Sequence, residues 1–231
     1  MNSIKKTLFY LLIMIGLSTY SQEIPPIQVF TPQDYAAEDQ NWALTQAQND
    51  FIYVANNKGL LEYNGASWKL YDSPNDGILR SVHVVKDKIY SGGYMDFGFW
   101  VKNDFGTLLY TSLTSKIDVK VKEGEEFWGI IDIEGYVLFQ SLESIYLYNT
   151  VNQSFRIVDS DSRINKMFKV NETIYFQNTE VGIFKIENGK EALVMTASDI
   201  QNREIVNIYD FKNALLLLTK EDGFLVFEDN K

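Results

Sequence analysis

Gly59–Trp68 reads GLLEYNGASW and follows directly on FIYVANNK, Phe51–Lys58. The leading glycine permits a tight turn or a close backbone approach, and Leu60 and Leu61 begin a strand. Asn64-Gly65 has the chemistry of a hairpin turn, and Trp68 suits the face of an outer strand. The stretch therefore reads as third strand, turn and fourth strand of one structural unit.

Working outward, the unit recurs. The apolar pairs Ile52-Tyr53, Ile89-Tyr90, Val137-Leu138, Ile174-Tyr175 and Leu215-Leu216 lie 37, 48, 37 and 41 residues apart, close to the period of about 40–45 of a four-stranded propeller blade. Before each pair stands a first strand (WALTQA, SVHVVK, WGIIDI, KMFKV, IVNIYD) and a polar turn. A third strand follows each (GLLEYN, FGFWVK, SIYLYN, GIFKIE, GFLVFE), and four units add a fourth (SWKLYD, TLLYTS, SFRIVD, EALVMT). Helical three-four spacing is hard to find after residue 40, so the chain reads as all-β, a β-propeller of about five four-stranded blades with the last incomplete. The alternative is a set of unrelated meanders. A strand at Ile27–Thr31 is expected to pair with the last blade and lock a ring, which leaves open a five-bladed closure.

The 231 residues are 45% hydrophobic and 14% aromatic, enough for a real core. MNSIKKTLFYLLIMIGLSTYSQ opens the chain with Lys5, Lys6, an apolar run from Leu8 to Leu17, and small residues at Thr19 and Ser21. This is a secretory signal pattern with cleavage expected after Ser21; the alternative is an uncleaved anchor, for which the run is short. The expected organisation is a signal peptide over 1–21, an N-terminal segment over 22–39 and a partial propeller over 40–231. The product is then periplasmic or on the cell surface.

Removing Lys5 and Lys6 leaves 19 basic against 31 acidic residues, a charge of −12 where the whole chain has −10. The basic residues are scattered among acids, so direct nucleic-acid binding is not expected. The absence of cysteine removes disulfides, thiol nucleophiles, thiolate metal sites and a lipoprotein anchor.

From Asp34 to Leu113, with QNW, ANNKGLLEYNG, LRS and GGYMDFG in place, the sequence closely resembles the N-terminal propeller of exported Bacteroidetes sensor-regulators, the proteins built from two-component-regulator propeller repeats and a triple-tyrosine domain. Beyond Leu113 only the blade grammar persists. The resemblance implies a periplasmic sensing propeller followed by a triple-tyrosine β-sandwich, a membrane helix, and a helix-turn-helix or histidine-kinase output module. None of these later parts is recognisable here, so the chain looks like a sensor fragment.

Catalytic chemistry is poorly represented. His83 is the only histidine, which argues against a histidine triad or a multi-histidine zinc site. EGEE at 123–126 and DSDS at 159–162 fall in connecting loops and read as solvated turns; DSDS lacks the longer spacing of a calcium loop. No cofactor or metal is expected.

Propeller geometry brings the residues that open each first strand to one rim. These are Asn41-Trp42, Arg80-Ser81, Phe127-Trp128, Asn165-Lys166 and Arg203-Glu204. The ligand-binding set expected among them is Asn41, Trp42, Arg80, Ser81, Trp128, Asn165 and Lys166, whose aromatic faces, cations and amides suit a glycan or another small polar ligand. The alternative is that Trp42 and Trp128 only pack between blades. The reading is thus a non-enzymatic exported sensor region. A propeller lyase or glycosidase acting on glycans, and a protein-binding scaffold, stand as alternatives. An unclosed fan would leave strand edges open to pairing with another chain as an oligomer.

Overall fold

The computed structural model describes residues 25–117, 120–187 and 189–228. The signal pattern at 1–21 lies outside them. The chain divides into two units at Phe30/Thr31. In the first, residues 25–30 form no strand, and Ile27 and Val29 are 80% and 78% exposed.

The second unit begins with helix α1 (Pro32–Tyr35) and continues, among the described residues, with nineteen strands, β1 to β19, in five antiparallel sheets. The first sheet is β1 (Asn41–Gln46), β2 (Ile52–Asn56), β3 (Gly59–Tyr63) and β4 (Trp68–Asp72). The second is β5 (Leu79–Val85), β6 (Lys88–Gly93), β7 (Phe97–Lys102) and β8 (Leu108–Ser112), and the third is β9 (Gly129–Ile133), β10 (Tyr136–Gln140), β11 (Ser144–Asn149) and β12 (Phe155–Asp159). The fourth is β13 (Ile164–Val170), β14 (Thr173–Asn178), β15 (Gly182–Glu187) and β16 (Lys190–Thr196), and the fifth holds β17 (Ile205–Phe211), β18 (Ala214–Thr219) and β19 (Gly223–Phe227). Each sheet runs in sequence order, and the first strands β1, β5, β9, β13 and β17 contact one another in succession, the arrangement of propeller blades.

The strand expected at Ile27–Thr31 is not formed. Pro25 and Pro26 have no backbone N–H to give to a ladder, and Pro32 turns the chain into α1. Thr31 is instead the N-cap of α1, where its N–H and Oγ1 donate to the Asp34 carboxylate at 2.6 and 2.8 Å. Those bonds hold the Asp34 carboxyl below its ordinary range. Among the described residues the fifth sheet has three strands.

The recurrent residues have recurrent reasons. Gly59 has φ +152°, and a Cβ there would lie 2.1 Å from the Tyr71 carbonyl oxygen; Gly182, at the same blade position, has φ +140° with Met195 O at 2.0 Å. Only glycine lets the third strand approach the fourth this closely. In the turn between second and third strands, side chains accept from the backbone two or three residues on: Asn56 from Lys58, Ser141 from Ser144, Asn178 from Val181 and Thr219 from Asp222. Asn64, Asn103 and Asn149 serve the following turn in the same way.

Between successive sheets lie four apolar clusters, one per blade junction. The junction of blades two and three is the most aromatic. Phe97 stacks on Phe139 at 4.2 Å and meets Phe127 edge-on at 4.6 Å, with Tyr90 and Tyr146 around them. Buried amides add polar ties: Gln140 donates to the carbonyls of Ile164 and Asn165, and Gln177 donates to Arg203 and accepts from Ile205. Among the described residues no helix is long and apolar enough to cross a membrane.

Candidate functional site

The first strands do not pair evenly. Their registers shift between Asn41 and Ala43, Leu79 and Ser81, Ile164 and Met167, and Ile205 and Asn207. The residues left out of step are Trp42, Arg80, Asn165 with Lys166, and Val206. A β-bulge re-aims the side chain it carries, so four blades share a device that turns one opening residue off the ladder. In blade three, Trp128 stands just before β9, held by its N–H on the Gln140 carbonyl at 2.8 Å.

Three of these residues come together from three blades. The Arg80 guanidinium lies 4.0 Å from the centre of the Trp42 ring and 4.7 Å from that of Trp128, and the two indoles meet edge-on at 5.8 Å. Arg80 also donates through Nε and Nη2 to Glu126 Oε1 at 3.2 and 2.9 Å. With side-chain exposures of 12% and 23%, that pair is largely desolvated. Cation–π contact on two faces and a charge-assisted pair make Arg80 the clamp of blades one to three.

The other expected residues are placed differently. Ser81 is buried and donates to the Phe127 carbonyl at 2.8 Å, a tie between blades two and three. Asn41 accepts from Asn56, which also bonds the carbonyls of Glu38 and Gln40. Asn165 meets Gln140 through its backbone carbonyl, and Lys166 is exposed, with Nζ 5.9 Å from the Phe168 ring. Of the wider opening set, Phe127 is buried in the core, while Arg203 and Glu204 pair with Asp222 and Lys220.

EGEE is not the solvated turn expected of it. Glu126 holds Arg80, and Glu125 is buried at 9% exposure. The turn Lys122–Glu125 closes with Glu125 N–H on the Lys122 carbonyl at 3.2 Å, and Lys122 N–H donates back to Glu125 Oε2 at 3.1 Å. Tyr146 donates its hydroxyl to the same oxygen at 2.9 Å. Burial, and then the charge of Glu125, raise the Tyr146 hydroxyl far above the ordinary tyrosine range, so it remains a donor. The one available sequence signal was position, because these acids immediately precede Phe127-Trp128.

Beside this turn is a pocket of about 170 Å³ lined by Lys122, Glu125, Glu126, Trp128, Ser141 and Glu143 among others. Three buried polar atoms at this junction have no hydrogen-bond partner among the described residues: Arg80 Nη1, Trp128 Nε1 and Glu125 Oε1. Elsewhere, His83 Nε2 lies 2.7 Å from Asp132 between blades two and three, both groups about a third exposed. DSDS is bonded within the protein, through Asp159 to Ser144 and through Ser160 and Ser162 to Asn178. Among the described residues no group of three His, Asp or Glu side chains could hold a metal ion.

No family model matches the chain, and no curated protein does. Among solved structures it is similar to the extracellular domain of BT3049, a proposed hybrid two-component system of B. thetaiotaomicron, with TM-score 0.59 and 12% identity over 90% of this chain and 29% of that one. It is also similar to the extracellular domain of BT4673, a proposed one-component system of the same organism, with TM-score 0.54 and 15% identity over 78% of this chain and 25% of that one. A third likeness is to PorZ, a surface component of the type-IX secretion system of Porphyromonas gingivalis, with TM-score 0.53 and 12% identity over 82% and 25% of the two chains. The chain spans between 25% and 29% of these proteins. At such identities the likeness is one of fold, and the fold is the β-propeller.

Proposed function

We propose that this chain is the ligand-sensing β-propeller region of an exported signal-transduction regulator. In this reading it acts in the periplasm or at the cell surface after cleavage near Ser21. It binds without turnover, and the occupied state is passed to downstream triple-tyrosine and membrane or output domains of the kind the sequence resemblance implies. The likeness to extracellular domains of one- and two-component systems supports the setting.

One observation carries the site: the Arg80 guanidinium sits in the corner of two perpendicular indoles, 4.0 Å from the centre of the Trp42 ring and 4.7 Å from that of Trp128. Trp42, 40% exposed, adds aromatic surface of the kind that packs against a sugar ring. A glycan fragment or a similarly polar small molecule fits this chemistry.

The test is a binding screen of the full chain against soluble oligosaccharides, repeated with Lys166→Ala and Arg80→Ala and accompanied by thermal melts. Binding to at least one glycan, abolished by Arg80→Ala and unchanged by Lys166→Ala, without release of shortened product, is the expected result. Binding unchanged in folded Arg80→Ala, or depolymerised glycan, would overturn the proposal.

A further inference from the structure

Two short runs of the first blade, Gln40-Asn41-Trp42 and Asn56-Asn57, meet residue by residue. The Asn57 N–H donates to the Gln40 carbonyl at 3.2 Å, and Asn56 Nδ2 donates to the same carbonyl at 3.1 Å and to Asn41 Oδ1 at 2.9 Å. Trp42 Nε1 then donates to Asn57 Oδ1 at 2.8 Å. Asn57 passes the tie on, its Nδ2 donating to Glu38 Oε2 at 2.9 Å. An indole N–H can only donate and a carboxylate only accept, so the two bonds together fix which way the Asn57 amide is turned.

The two asparagines have different tasks. Asn56 is fully buried; it also donates to the Glu38 carbonyl at 2.6 Å and accepts from the Lys58 N–H at 2.9 Å, so it holds the backbone around the turn. Asn57 is only partly buried, and its side-chain bonds run to Trp42 and Glu38.

Trp42 needs such a hold. It stands at the register shift between Asn41 and Ala43 and is 40% exposed, so close packing does not fix its two side-chain torsions. Its ring is nevertheless the surface on which the Arg80 guanidinium lies at 4.0 Å and which Trp128 meets at 83°. Rotation about either torsion would take the ring from under the guanidinium, and a site whose groups must first be ordered binds more weakly than one already set. With Nε1 committed to Asn57, the indole has ring surface and no donor left for a ligand, which suits stacking on the C–H face of a sugar.

We infer that Asn57 is the positioning residue of Trp42, anchored in turn by Glu38, and that the 38–41 segment presets the aromatic surface of the rim. The assignment rests on the sensing proposal for what the indole is set to bind, but its test needs no ligand.

The indole N–H of Trp42 is followed by NMR in the full chain and identified by its loss in Trp42→Phe. In Asn57→Ala that proton is expected to shift and to exchange with water about two- to tenfold faster, the weight of one ordinary hydrogen bond. The Arg80 Nε–H resonance should move with it, because the ring beside the guanidinium is no longer held. The indole of buried Trp100, which donates to Ser91 Oγ at 2.8 Å, should stay as it is. Asn57→Asp combined with Glu38→Gln keeps the acceptor for Trp42 and reverses the polarity of the second bond, so it is expected to restore both signals. Should Asn57→Ala fail to fold, Glu38→Ala, at an exposed side chain, decides by the same signals at smaller amplitude.

An unchanged Trp42 indole in folded Asn57→Ala, equal acceleration at Trp100, or no rescue by the double variant would overturn the inference. Absence of glycan binding by the unaltered chain counts against the sensing proposal alone and leaves the Trp42 signal to decide this one.

Discussion

The junction of blades two and three and the free face of blade five are built from the same repeat and end in opposite states. At the junction, Phe97, Phe127 and Phe139 are fully buried and stacked, polar ties cross between sheets, and the unmet polar atoms are held in place. On blade five, the rows Tyr209–Leu216–Val226 and Asn207–Leu218–Phe224 share one face of the sheet. Phe211 extends that face beside Ala214, and Phe224 and Val226 are 60% and 55% exposed. The opposite face, with Ile208 and Leu217, is packed on blade four. A blade thus needs a neighbour on each side to hide its two apolar faces, and chemistry is concentrated where both are present.

Core truncation should separate the two regions most sharply. Phe97→Ala is expected to cost about 3–5 kcal/mol in urea unfolding, because the cavity it leaves is walled by other rings. Phe224→Ala should stay within about 0.5 kcal/mol, as exposed substitutions do. Comparable losses at the two sites would mean that blade five is covered after all.

Arg80→Ala comes next. It leaves Glu126 half-buried without its cation and opens the stack between Trp42 and Trp128, so a loss of about 3 kcal/mol is expected. Arg80→Lys should recover little of this, since an ammonium cannot stack as a planar guanidinium does. Full rescue by lysine would reduce the clamp to a simple ion pair.

Gly59→Ala and Gly182→Ala should each cost more than about 1 kcal/mol, measured as a shift in the urea midpoint, because the added Cβ would collide with the carbonyl of the fourth strand. A neutral effect would show that the third and fourth strands can separate.

Alkaline stability sharpens the same contrast. Burial raises the hydroxyl of Tyr90 to about 12, above its ordinary value of 10.0, and pushes Tyr53, Tyr110 and Tyr146 higher still. These tyrosines stay protonated when folded while the unfolded chain ionises. Stability should therefore be level up to about pH 10 and fall above it. Thermal melts between pH 8 and 12 check this, and a flat profile would contradict the burial of these rings. The smallest effect on stability is expected for Phe224→Lys, within about 0.5 kcal/mol, with reduced self-association in sedimentation because an exposed apolar sheet face is broken.

The blade grammar was legible in the sequence because strand, turn and glycine chemistry are local. GLLEYNGASW carries its own reasons, and the structure puts Gly59, the Asn64 turn and the Trp68 strand where that reading placed them. The opening residues Trp42, Arg80 and Trp128 were legible as a set because blade order fixes which strand ends are neighbours. The roles of Glu125 and Glu126 were not. Their burial depends on a turn folding back under Tyr146 from a strand twenty residues on, and local composition has no record of that. The N-terminal strand was misread because Ile27–Thr31 has β-forming residues, while the flanking prolines decide what the backbone can pair.

Hydrogen–deuterium exchange of the full chain, with and without a bound oligosaccharide, tests most directly the claim that the site is on the closed junction and not on the open end. Slow exchange is expected across β6, β7, β10 and β11, with fast exchange across β17–β19. Ligand-induced protection should be confined to residues near Arg80 and the 122–129 segment. Protection that instead appears in β18 and β19, with the 122–129 segment unchanged, would contradict the account.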